Sequence, residues 1–131
     1  MSVHSEVYSR LANAAAVTAL VPSSKITPHV QSEVMTTIPE QFPAITFGAV
    51  TAIPNNTLDG YGMNTRYRFQ VDCWVREDYD EAISIATAVR NAIIGSDSVT
   101  FTALWVDQRE FYEADIKVHN LQLDFSIWHS E

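Results

Sequence analysis

Apolar residues recur along this chain with two different periods, and the switches between them mark out its elements. From Arg66 to Arg76 (RYRFQVDCWVR) the period is two. Tyr67, Phe69, Val71, Cys73 and Val75 fall on one side and Arg68, Gln70, Asp72, Trp74 and Arg76 on the other, which predicts a strand with one apolar and one mixed face. The period then changes to that of a helix, with Ala82, Ile85 or Ala86, Val89 and Ile93 buried before a Gly95 cap. Asp78 and Glu81 resemble a capping box with Asp in place of Ser or Thr, and the acidic first turn complements the helix dipole.

Upstream, Ser5 suits an N-cap, and Val7, Leu11, Ala14 or Ala15, Val17 and Val21 keep near-helical spacing until Pro22. The run Ala14 to Ala16 favours helix and permits close backbone approach. Pro22, Pro28, Pro39 and Pro43 then predict an extended or looped stretch, with room for a short strand within Lys25 to Val34. Ile45, Phe47, Ala49, Thr51 and Ile53 alternate in a half-buried strand that Pro54 and Asn55 end. NNTLDGYGMN, Asn55 to Asn64, reads as an exposed hairpin loop.

Beyond the second helix, Val99 to Val106 reads as a strand and Asp107 to Asp115 as a charged connection. Ile116 to Trp128 closes the chain with Leu121, Leu123, Phe125 and Ile127 inward. The expected fold is α+β, in the order α-loop-β-β-α-β-β: an antiparallel sheet of about four strands with two helices packed on one face.

At 131 residues and 47% apolar the chain builds one core, so 1–131 is read as a single domain. Sixteen acidic against 8 basic side chains give a net charge of −8, which opposes a nucleic-acid-binding surface. The acidity suits a surface that DNA passes without sticking, or simple solubility. A single cysteine, Cys73, allows no intramolecular disulfide. No apolar run approaches a membrane span, and MSVHSEVYSR lacks the features of a signal peptide, so the expected protein is unsecreted and not membrane-bound.

Candidate chemistry has bland explanations. His4, His29, His119 and His129 lie far apart and read as surface or interface residues, with no metal-ligand spacing. His129-Ser130-Glu131 matches half of a zinc-deaminase signature without its Pro-Cys-x-x-Cys. Glu77, Asp78, Asp80 and Glu81 have a sufficient role at a helix start. Asp107, Glu110, Glu113 and Asp115 interleave with Arg109 and Lys117 like a salt-bridging surface. Cys73 reads as core packing. Asp59-Gly60-Tyr61-Gly62 lacks the Lys-Ser/Thr of a phosphate loop, and the sequon Asn55-Asn56-Thr57 carries no weight without secretion. No catalytic, metal or cofactor residue is assigned. An enzyme would need a cleft containing Asp72, Glu110 or His119, and a small cytoplasmic binding domain is the other rival.

LANAAAVTALVPSSKITP, FPAITFGAV, RYRFQVDCWVREDYDEAISIATAVRNAI and LQLDFSIWH, in that order and spanning nearly the whole chain, resemble the tail-completion or tail-terminator proteins of long-tailed phages. These include lambda-like minor tail protein U and the tail-to-head joining proteins. The resemblance implies a structural virion protein at the head-proximal end of the tail, assembled in the host cytoplasm and involving no reaction. It forms a homo-oligomeric ring, typically a hexamer, that caps the tail tube protein, stops tube growth and meets the head-tail connector protein, while DNA passes through without specific binding. The family has no residue motif to carry over. Interface residues are therefore assigned from the predicted elements: Leu58, Asp59, Tyr61 and Met63 in the hairpin loop, and Arg66, Arg68, Trp74 and Arg76 on the mixed strand face, with Trp74 expected to be exposed.

Overall fold

A five-stranded mixed sheet carries helices on one face. The computed structural model describes residues 2–28, 43–58, 60–94, 98, 100–114 and 117–130. His29, Pro39, Asp59, Gly95, Asp115, Glu131 and the far end of the 25–34 segment lie outside the described residues, as do the side chains of Tyr61 and Met63.

Helix α1 spans Val3–Ala12 and buries Val3, Val7 and Leu11, one residue per turn. Its cap is Ser2, whose hydroxyl accepts the Ser5 N–H at 3.1 Å. Ser5, the expected cap, lies inside the first turn because Val3 extends the apolar stripe one turn upstream. The helix closes at Asn13, whose N–H donates to the carbonyls of Ser9 and Leu11. A short helix α2, Ala15–Thr18, follows and buries Val17. The stripe alone runs through this break. Asn13 is the signal for it, since asparagine favours helix ends over interiors.

Strand β1, Ile26–Pro28, runs parallel to β2, Ala44–Thr57, with Ile26 opposite Ile45. This parallel strand makes the sheet mixed rather than wholly antiparallel. Three residues are too few to show a period, and the strand's proline sits on the sheet edge, where a missing donor is tolerated. β2 turns directly into β3, Gly60–Arg76, with Thr57 opposite Gly60. The expected long loop is thus the end of a strand pair. Gly60 has φ +119, a value that side-chain-bearing residues rarely adopt and that explains a glycine there.

Helix α3, Tyr79–Ile94, follows β3, and the Asp78 carboxylate accepts the Glu81 N–H at 3.1 Å, as the capping pattern predicts. Strand β4, Phe101–Glu113, and strand β5, Val118–Ser130, complete the order β1-β2-β3-β5-β4. Asp107 to Glu113 is therefore strand, not connection. It pairs with Val118 to Asp124 while its own side chains are mostly exposed, so no alternation marked it.

Register sorts the two faces. Phe69 opposite Phe125, Val71 opposite Leu123 and Cys73 opposite Leu121 point toward the helices. With Ala82, Ile85, Val89 and Ile93 of α3 they form the main core. Phe69 and Phe125 are fully buried, and burying each side chain contributes about 1.5–3 kcal/mol.

Candidate assembly surface

The face of the sheet turned away from the helices carries the mixed side chains of β3 and β5. Asp124, 1% exposed, sits near its centre and accepts from two arginines at one oxygen, Oδ2: Arg68 at 3.4 Å and Arg109 at 3.1 Å. The three residues tie β3, β5 and β4 together. Both guanidinium groups are about half exposed while the carboxylate is not, so charge pairing offsets the desolvation of Asp124. Beside them runs a groove of about 400 Å³ lined by Thr51, Ile53, Arg66, Arg68, Val106 and Asp124.

The residues assigned from sequence divide here. Leu58 stands fully exposed at the hairpin tip, and Arg66 and Arg76 are exposed along β3. Arg68 shares this face but is engaged by Asp124. Trp74 is not exposed: only 9% of its surface is accessible, its indole N–H donates to the Thr46 hydroxyl at 3.0 Å, and it clusters with Ala44 and Val118. A cross-strand acceptor and two small apolar neighbours let the indole lie against the sheet, which alternation alone cannot reveal.

The other exposed region went unread in the sequence. Along β4, Leu104, Val106, Phe111 and Tyr112 are each roughly half exposed on a strand with no neighbour on its outer side among the described residues. Contacts from the helix side brace this edge. The Tyr79 hydroxyl donates to Glu110 Oε1 at 2.6 Å, and this hydrogen bond raises the phenol pKa above its ordinary value. The His119 ring lies between Tyr79 and Tyr112, at centroid distances of 5.4 and 4.6 Å. Arg90 of α3 sits 4.6 Å over the Trp105 ring. The available signal was a cluster of large apolar residues, Leu104 to Val106 and Phe111 to Tyr112, flanking charges without a one-sided pattern.

Of the groups that would serve catalysis, Asp72 is kept apart from the other two. Glu110 and His119 share the helix side of the sheet, whereas Asp72 is buried on the opposite face, where it accepts from Gln70 at 2.9 Å. Cys73 is fully buried, and desolvation, with Asp72 nearby, pushes its thiol pKa far up, which makes it a poor nucleophile. His129, expected at the surface or an interface, is buried with its ring edge-on to Phe101, because β5 continues past Trp128 and turns this residue inward. Among the described residues no three His, Cys, Asp or Glu side chains cluster as metal ligands. A concavity of about 540 Å³ between α1 and α3 contains Glu6, Arg10 and Asn91, with Arg10 paired to Glu6 at 3.4 Å and 3.9 Å over Phe101.

Residues 5–130 match a family model described as tail completion protein gp17. No curated protein matches the sequence. Among solved structures, a chain of the virion of a native gene transfer agent (GTA) particle superposes with a TM-score of 0.78 at 15% identity. The match covers 99% of this chain and 96% of that one, a likeness of fold.

Proposed function

The chain belongs to the tail completion protein gp17 family, a structural component of phage-type tails, and on that premise we propose that it assembles as a ring, a hexamer, on the head-proximal end of a long tail tube. There it ends tube growth and offers the joining surface for the head connector. The observation that carries this reading is the family match across 5–130, and the exposed strand edges fit it.

An assembly protein needs surfaces that do not contribute to its own core. β4 from Leu104 onward and the far end of the β2–β3 hairpin are such surfaces, since they hold apolar side chains in solvent on long, paired strands. A net charge of −8 fits a channel through which DNA moves, because an acidic lining repels phosphate instead of binding it. Six identical subunits around a closed axis use one repeated head-to-tail contact, so a single chain suffices to build the cap. No reaction is assigned to it. The test is removal of the gene from its phage or particle: overlong tails without heads are expected. Tails of normal length without heads would reduce the role to joining, and normal, headed particles would refute both.

A further inference from the structure

We infer that the ring contact is a sheet continuation, in which the outer edge of β2 in one copy lies along β4 of the next. The inference rests on the ring reading above and names its interface. Both strands have backbone to offer. β2 is covered by β1 only from Ile45 to Phe47, so from Gly48 onward its outer side has no strand beside it among the described residues, and β4 is the last strand of the order. Strand directions also agree. β2 and β4 run oppositely within one sheet, so a neighbour brought alongside without being turned over presents β2 antiparallel to β4, which continues the existing alternation.

The side chains make the two edges different and complementary. On the open face β4 carries Asp107 and Glu113 on either side of Arg109, whose charge is paired with Asp124, whereas Arg66 and Arg68 stand one strand in from β2. Opposite charges thus meet across the joint within the reach of long side chains. Apolar groups meet there too, since Leu104 and Phe111 of β4 share that face with Ile53 of β2. Two β4 edges placed together would instead set the open-face acids Asp107 and Glu113 against copies of themselves, which disfavours a two-fold dimer. A contact between unlike edges is heterologous and produces a ring when its rotation closes. The two edges also lie at different heights. The β2 edge centres near the level of Arg66 and the β4 edge near that of Asp72, six residues apart along β3 or about 20 Å. Neighbours are therefore staggered along the strands, as strands that close around an axis must be.

Charge reversal tests this with two variants of the full chain, D107K/E113K and R66E, whose folding is checked by circular dichroism and melting temperature. All three substituted residues are exposed, and Arg68 is left alone because it holds Asp124. Assembly is followed by light scattering and negative-stain imaging, with and without isolated tail tubes. Each variant alone is expected to associate more than about tenfold more weakly than wild type. An equimolar mixture restores rings, because reversed β4 edges then face reversed β2–β3 edges and native edges face native ones in strict alternation. D107K/E113K mixed with wild type stays weak. Wild-type rings that survive both substitutions, or stronger association of D107K/E113K with wild type, would overturn this interface while leaving the ring reading intact. Absence of rings from the wild type, even on tubes, would overturn both.

Discussion

The middle of the sheet and its projecting strand ends are made of the same five strands yet answer to different demands. In the middle, Phe69, Val71, Leu123 and Phe125 are fully buried beneath α1 and α3. At the ends, Val50, Ile53 and Leu58 on one side and Leu104, Val106 and Phe111 on the other are about half to fully exposed. Apolar surface kept in water adds little to folding stability, so the ends contribute little to the fold of the monomer. On the proposed function the difference separates a folding unit from an assembly unit within one continuous sheet, and substitutions are expected to fall on one side or the other.

The largest effect belongs to the core. Phe125→Ala is expected to lower unfolding free energy by about 3–5 kcal/mol, read from denaturant melts, because it empties a fully buried ring site. A loss below 1 kcal/mol would mean that the middle is not the stabilising region. Asp124→Asn comes next. It leaves Arg68 and Arg109 without their shared carboxylate, and a loss of about 1–3 kcal/mol is expected.

Among the described residues, two groups with shifted titration divide in the same way. Cys73 in the middle has its folded pKa raised, so its contribution is complete below the unfolded value of about 9 and falls as pH rises. The slope is about 1.4 kcal/mol per pH unit above that point. Melts from pH 8 to 10.5 should show this slope in wild type and lack it in Cys73→Ala. Tyr79 at the β4 edge also has a raised folded pKa, from its hydrogen bond to Glu110. Its contribution is present below about 10 and lost above, with a small effect expected because the phenol is exposed. Smallest of all in stability are changes at the ends: Leu58→Ser should shift the melting free energy by no more than about 0.5 kcal/mol. A larger loss would show that the hairpin tip supports the fold.

The same division explains what could be read from sequence. Where a strand has one apolar and one mixed face, as in Tyr67 to Val75, alternation identified both the strand and its apolar, helix-facing side. Where a helix packs on that side, as from Ala82 to Ile93, spacing and the Asp78 cap placed it to within a turn. In β4 the side chains from Asp107 to Glu113 are mostly exposed, so that stretch looked like a connection, and the Asn- and Gly-rich sequence of Asn55 to Asn64 looked like a loop. β1 was too short to carry a period. Trp74 shows the converse error: its position on the polar face suggested exposure, but burial depended on Thr46, Ala44 and Val118, which only the register brings together. Of the candidate interface, Leu58, Arg66 and Arg76 were legible as exposed groups, whereas the β4 edge was not.

The most direct measurement is cryo-electron microscopy of isolated tail tubes incubated with the purified chain. The account predicts one ring of six-fold symmetry at a single end of each tube, with tubes so capped unable to lengthen when fresh tube subunits are added. Density scattered along the tube wall, or capped tubes that continue to grow, would contradict it.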